Sequence, residues 1–236
     1  AAIGGYVSEL IHDGDCVQFG LGGTPGAVAA ALTGKHDLGI HTEMLGNAMI
    51  NLIRSGAVTN RRKTLHPGKT VCAFFLGDED AVDFLENTPD VMFRPAAYTN
   101  HPATIARNEN MVSVNTTLQV DLLGQVSSES IGSRQYSGTG GAMDFAYGAH
   151  NAPNGRSIIA VNATAKGGSL SRISAALPVG SAVSIPRNIV DYVVTEFGIA
   201  RLRNCSVRQR VENLIAVAHP DFRAELAREA QKLLLW

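Results

Sequence analysis

The chain has 236 residues, with 20 basic and 21 acidic side chains and a formal net charge of −1. That balance argues against a general polyanion binder, and a hydrophobic content of 45% excludes a disordered chain. No apolar stretch approaches the roughly 20 residues of a membrane span, so neither nucleic acid nor a membrane is an expected partner.

Cys16, Cys72 and Cys205 are far apart and odd in number. They form neither a disulfide framework nor a metal cluster, and they point to a reducing cytoplasm. The chain opens Ala-Ala-Ile-Gly, without an initiator Met or a basic-then-apolar leader, and reads as a piece of something longer. Its size predicts one α/β domain over 1–236, large enough for an enzyme core.

Ile3, Tyr6, Val7, Leu10 and Ile11 share one helical face. Asp13-Gly14 ends that helix, and residues 16–19 read as a short strand. The turn Gly20-Leu21-Gly22-Gly23-Thr24-Pro25-Gly26 follows, with Thr24 as the expected N-cap of a helix to about Leu32. Residues 38–44 read as one buried strand and 47–54 as a helix. Residues 70–76 read as a strand, and Asp78, Glu79 and Asp80 open a helix carrying Ala81, Phe84 and Leu85. A strand is expected at 91–93, a helix at 103–107, and a strand over 111–123 that turns near Gly124 into a partner at 125–129. Further strands are expected at 157–163, 182–185 and 190–195. A helical tail runs from about 207, with Phe222, Leu226, Ala230 and Leu233 on one face and Trp236 capping it. Alternating βα units with unbroken apolar strands predict an α/β fold, with helices flanking a largely parallel central sheet.

Two glycine-rich turns stand out. Gly20–Thr24 lies between a strand and a helix, where glycine lets the backbone approach a ligand and helix N–H groups attract anions. It is neither G-x-G-x-x-G nor a P-loop, and a tight turn with no ligand explains it equally well. Tyr136-Ser137-Gly138-Thr139-Gly140-Gly141-Ala142 precedes a helix start. It reads either as a source of N–H donors for a developing oxyanion or as a flexible loop. Glu43, at the end of the 38–44 strand, is a nucleophile, a base or a metal ligand, or else a structural carboxylate.

The remaining polar residues suggest little chemistry. His41, two residues before Glu43, reads as a packed neighbour. The seven histidines show no His-x-x-x-His spacing, so no metal site is expected. Ser127, Ser128 and Ser130 lie in no nucleophile elbow. Arg61-Arg62-Lys63 reads as a solvated loop face. Lys166, Ser169, Ser171 and Arg172 read as a solvated loop or a phosphate contact.

Gly39-Ile40-His41-Thr42-Glu43-Met44, the turn at 20–25, Gln119-Val120-Asp121-Leu122-Leu123-Gly124-Gln125-Val126 and Gly138-Thr139-Gly140-Gly141 together resemble family I CoA-transferases. Glu129-Ser130-Ile131-Gly132, Thr164-Ala165-Lys166-Gly167-Gly168 and Val193-Val194-Thr195-Glu196-Phe197-Gly198 extend the resemblance, in order, along nearly the whole chain. The nearest branch is the acetyl-CoA hydrolase/transferases. The resemblance implies a CoA-transferase (NagB/RpiA-like) fold and the C-terminal half of a two-part enzyme. The partners it implies are the N-terminal half, a second copy in a homodimer, acyl-CoA and small carboxylic acids. It implies no tightly bound cofactor, with coenzyme A entering as substrate.

By the same resemblance, Glu43 matches the nucleophile of a ping-pong cycle through a glutamyl-CoA thioester. Gly20, Leu21, Gly22, Gly23 and Thr24 match a CoA-contacting loop. Gly140 and Gly141 match the loop nearest the reacting carbonyl. Asn100 matches a polar residue beside the glutamate, while Leu118 and Lys166 are assigned to CoA. An acyl-CoA hydrolase using the same glutamate is the near alternative. A non-catalytic CoA-binding or oligomerising module is the alternative of a different class.

Overall fold

The computed structural model describes residues 2–20 and 22–235. Leu21 and Trp236, both named above, lie outside the described residues. Helix α1 (Ala2–Glu9) leads into β1 (Cys16–Phe19), α2 (Gly23–Ala31), β2 (Gly39–Ile40), β3 (Met44–Gly46) and α3 (Asn47–Arg54). Strands β4 (Thr70–Cys72) and β5 (Phe74–Leu76), helix α4 (Glu79–Glu86), strand β6 (Val91–Phe93) and helices α5 (Ala96–Thr99) and α6 (Pro102–Ile105) follow. Then come β7 (Met111–Thr116), β8 (Gln119–Asp121), β9 (Val126–Ser127), β10 (Ser130–Ile131), β11 (Arg134–Gln135), α7 (Ala142–Asn151) and β12 (Arg156–Ala160). Two short pairs, β13 (Thr164–Ala165) with β14 (Leu170–Ser171) and β15 (Ile173–Ser174) with β8, precede β16 (Tyr192–Thr195), β17 (Gly198–Arg201), α8 (Val207–Val217) and α9 (Pro220–Lys232).

The central sheet has the order β17-β16-β12-β7-β1-β2 and is parallel except for the β16–β17 hairpin. An isolated parallel bridge from His41 to Val71 carries it on to the β4–β6 pair. Its strands other than the edge strand β17 are largely buried on both faces, which is why they read as mostly apolar runs. Val17 and Phe19 point into one core with α1, α2 and α3, while Cys16 points into another with Ile105 and Phe145. Helix α3 buries Met49, Ile50 and Leu52, each worth about 1.5–3 kcal/mol. The third core gathers β8, β12, β16, α8 and α9 around residues such as Ile159, Val193 and Leu214.

Several elements differ from the sequence expectation. Residues 38–44 are not one strand: the ladder stops after His41 and resumes as β3, with Thr42 and Glu43 between. Residues 70–76 break at Ala73 in the same way, because the Glu43 carbonyl accepts both Ala73 N–H at 2.8 Å and Phe74 N–H at 3.1 Å. Thr24 is not the N-cap of α2. Gly22 caps it instead, at φ 127°, a conformation that favours glycine. The 111–123 segment divides into β7 and β8, which join different sheets, with Leu118 in the bend between them. The expected 182–185 strand is reduced to a single bridge, Val126 to Ile185. Pro220, which has no N–H to donate, opens a new helix and divides the C-terminal tail. Lys63 is buried rather than solvated, with Nζ donating to the Ile40 carbonyl at 2.8 Å and the Lys69 carbonyl at 2.6 Å. Among the described residues, no helix is long and apolar enough to cross a membrane.

Candidate active site

The chain leaves β1 toward β2 on one side, while β7 lies on the other. The strand order therefore reverses between β1 and β7, and open α/β sheets bind ligands outside the carboxyl ends of strands at such a point. A crevice of about 180 Å³ lies there. Gly20 and Phe19 reach it from the end of β1, Asn115 and Thr116 from β7, and Thr139, Gly140 and Gly141 from the loop before α7. Glu43 enters from the break between β2 and β3.

That break aims the carboxylate. Thr42 N–H is held by the Val71 carbonyl at 2.9 Å, and the Glu43 carbonyl is occupied by Ala73 and Phe74. The backbone on either side of the side chain is thus fixed, and Glu43 itself is half-buried. Among the described residues its carboxylate has no hydrogen-bond or ion-pair partner. A carboxylate held by its backbone but free at its oxygens is suited to attack an electrophile.

Two other expected residues, Gly141 and Asn100, meet at this carboxylate. A Cβ placed on Gly141 would stand 2.6 Å from Glu43 Oε2 and 2.7 Å from Asn100 Nδ2. Gly141 is also the N-cap of α7 and offers no side-chain cap. The first N–H groups of that helix are therefore open to a ligand's negative charge. Asp144, in the first turn of α7, has its carboxyl pushed up by burial and then by the facing charge of Glu43.

Asn100 is positioned through His41. The His41 ring is fully buried, and its Nε2 lies 2.9 Å from the Thr99 carbonyl. Burial pulls the His41 pKa down to about 4, against the opposing pull of the Thr99 carbonyl. The ring is therefore neutral at pH 7, and Nε2–H donates to that carbonyl. The next residue, Asn100, closes α5 and accepts the Thr99 hydroxyl at Oδ1, 3.0 Å away. Its Nδ2 is left facing Glu43 and Gly141.

The floor of the crevice is a feature that local sequence reading missed. Gln18 and Asn115, both buried, pair amide to amide across β1 and β7, with Gln18 Nε2 donating to Asn115 Oδ1 at 3.1 Å. Asn115 Nδ2 lies 3.4 Å from Gln18 Oε1. A glutamine within an otherwise apolar strand was the available signal. The pair presses close to the glycine turn: a Cβ on Gly20 would stand 3.0 Å from Asn115 Oδ1.

Gly22, Gly23, Thr24, Leu118 and Lys166, which were also expected, lie outside the crevice lining. Gly22 lines the adjoining cavity, and Gly23 and Thr24 face a third with Asn162 and Glu196. Lys166 is exposed on a short turn at positive φ. Leu118 is half-buried in the β7–β8 bend.

Known proteins resemble this chain along its whole length. It is 51% identical over 232 residues to the succinyl-CoA:cyclohexane-1-carboxylate CoA transferase of Geobacter metallireducens, covering 98% of this chain and 53% of the relative. It is 47% identical to the 4-hydroxybutyrate coenzyme A transferase of Clostridium kluyveri, covering 98% and 54%. The crystal structure of RipA from Yersinia pestis superimposes with a TM-score of 0.93 at 43% identity, covering 100% of this chain and 53% of that one. A more distant relative, the acetyl-CoA hydrolase of Saccharomyces cerevisiae, is 30% identical over 220 residues, covering 89% and 39%. The chain thus spans about half the length of the first two relatives. Residues 77–230 match the model of the acetyl-CoA hydrolase/transferase C-terminal domain. With that match and these identities, the chain belongs to the acetyl-CoA hydrolase/transferase family.

Proposed function

We propose that this chain is the glutamate-bearing half of a CoA-transferase. It would move CoA between an acyl-CoA and a free short-chain carboxylic or hydroxy acid. The observation that carries this reading is the unpaired Glu43 carboxylate against Gly141 and Asn100, in the crevice where the sheet order reverses.

In this reading a Glu43 oxygen attacks the acyl carbonyl. The C–S bond breaks, giving an acyl-glutamyl anhydride and CoA thiolate. The thiolate attacks the glutamyl carbonyl, forming the glutamyl-CoA thioester and releasing the first acid. The acceptor carboxylate then attacks that thioester, thiolate leaves again, and its return to the new acyl carbonyl restores Glu43. Each step exchanges one acyl bond for another, so neither ATP nor a metal is required. Covalent division of a difficult exchange is the usual value of such a nucleophile.

Negative charge gathers on the carbonyl oxygen in every step. The open N–H groups at Gly140, Gly141 and the start of α7, with Asn100 Nδ2, are the donors we assign to it. One such donor is worth about 3 kcal/mol in a transition state. Gly20, Leu21, Gly22, Gly23 and Thr24 are assigned to CoA. Leu118 and Lys166 lie outside the crevice, so their CoA contacts fall away from the thioester. The relatives' length supports a preceding half that completes the site, and a closed homodimer, the commonest assembly among soluble oligomers, is the one we assign. The buried free thiols of Cys16 and Cys72 support a reducing, cytoplasmic setting.

The test is exchange of labelled acetate into acyl-CoA by the full-length protein. Glu43→Ala should lower the rate by about 10⁴-fold or more, as loss of a nucleophile does elsewhere, with unchanged thermal unfolding. Appreciable exchange by that variant would remove Glu43 as nucleophile. Release of free CoA without exchange would make the protein a hydrolase instead.

A further inference from the structure

A second cavity, of about 250 Å³, adjoins the Glu43 crevice. Phe19, Gly20 and Met44 line both, so the two spaces meet beside the carboxylate. Their chemistry differs. The crevice carries Glu43, Gln18 and Asn115, whereas the second cavity is walled by Pro25, Ala48, Met49 and Leu76 and, among the described residues, holds no charged side chain. Its lining amide, Asn47, is engaged with Asp78, to which Nδ2 donates at 2.7 Å and from whose N–H Oδ1 accepts at 3.3 Å. The space is kept open by small residues. A Cβ added at Gly26, inside α2, would meet nothing within 4 Å.

Resting on the CoA-transferase reading, we propose that this cavity seats the acyl chain of the thioester and selects apolar chains. When the acyl carbonyl stands at Glu43, its alkyl tail needs an outlet that begins at Met44 and Gly20 and is lined by carbon. The cavity supplies one. A terminal hydroxyl carried into it would meet mostly carbon and no charged side chain among the described residues, a penalty that discriminates against hydroxyacyl groups.

The test is kcat/KM of the full-length protein for acetyl-, butyryl-, 4-hydroxybutyryl- and hexanoyl-CoA. The wild type should favour butyryl-CoA over 4-hydroxybutyryl-CoA at least fivefold. Gly26→Leu places a good helix former in a helix interior and projects into the open space. Ala48→Leu narrows the cavity from α3. Each should lower the hexanoyl-to-acetyl ratio at least tenfold. Equal use of butyryl- and 4-hydroxybutyryl-CoA would overturn the apolar selection. An unchanged chain-length ratio in both variants, or equal losses for every acyl-CoA, would overturn the seat and assign the cavity to pantetheine or to another part of the protein. Absence of exchange with any acyl-CoA, together with no CoA adduct on Glu43, would instead sink the transferase reading beneath it.

Discussion

Gly141 stands so close to Glu43 that a single added Cβ would lie 2.6 Å from the carboxylate oxygen. The atoms it would meet, Glu43 Oε2 and Asn100 Nδ2, are the ends of movable side chains, and the backbone at Gly141 has φ −90°. Substitution there therefore displaces the reacting groups rather than the fold. Gly141→Ala should cut turnover by about 10²-fold, the scale of an ångström-level misplacement, while changing stability by less than about 1 kcal/mol. Steady-state kinetics and urea unfolding of one sample check both halves of the statement.

Gly148, one helix turn beyond the first of α7, should behave oppositely. A Cβ there would lie 2.5 Å from Ile105 Cβ, a buried atom that cannot swing away. Gly148→Ala should destabilise the protein by about 1–3 kcal/mol through overpacking of α6 against α7. Urea unfolding reads this directly, and turnover per folded molecule should fall less than for Gly141→Ala.

His41 predicts a pH dependence of stability. The unfolded chain protonates a histidine near pH 6.5, whereas the buried ring takes a proton only near 4. Between those values the unfolded state binds more protons. The contribution of His41 is therefore whole above about pH 6.5 and is lost as pH falls toward 4, by up to about 3 kcal/mol. His41→Phe should be less stable at pH 7, because the Thr99 carbonyl loses its donor, yet show a shallower decline from pH 6.5 to 4. Parallel declines in the two proteins would contradict this assignment.

The Gln18–Asn115 pair should be structural first. Gln18→Leu leaves the buried Asn115 amide without its partner, and such a group costs about 1–3 kcal/mol. Joint replacement by Leu at 18 and Val at 115 should recover part of that loss, because both polar groups then disappear. Unfolding curves of the single and double variants check it.

Much of the fold was legible because local chemistry dictated it. Residues 16–19 are buried and, Gln18 apart, apolar, and α4 begins where Asp78 accepts Ala81 N–H at 3.0 Å. The shape of the site was not legible in that way. Residues 38–44, which open and close on apolar side chains, read as one strand, and nothing within them marks the break at Thr42 and Glu43. That break is set by Val71 and Ala73, some thirty residues away. The same limit hid the amide pair, whose members are 97 residues apart. Thr24 was misplaced as a cap because the composition of the turn favours it, whereas the helix starts one residue before it, at Gly23, and is capped by Gly22 at a positive φ. Lys63 was misread for the reason its neighbours suggest: Arg61 and Arg62 are exposed, while Lys63 turns inward to two carbonyls.

The central claim is covalent capture of CoA by Glu43. The most direct measurement is intact-mass and peptide mass spectrometry of the full-length protein incubated with acetyl-CoA or butyryl-CoA, with and without borohydride. The account predicts a CoA adduct on the Glu43 peptide, and its conversion by borohydride to the alcohol with release of CoA. No adduct, or an adduct on any other residue, would contradict it.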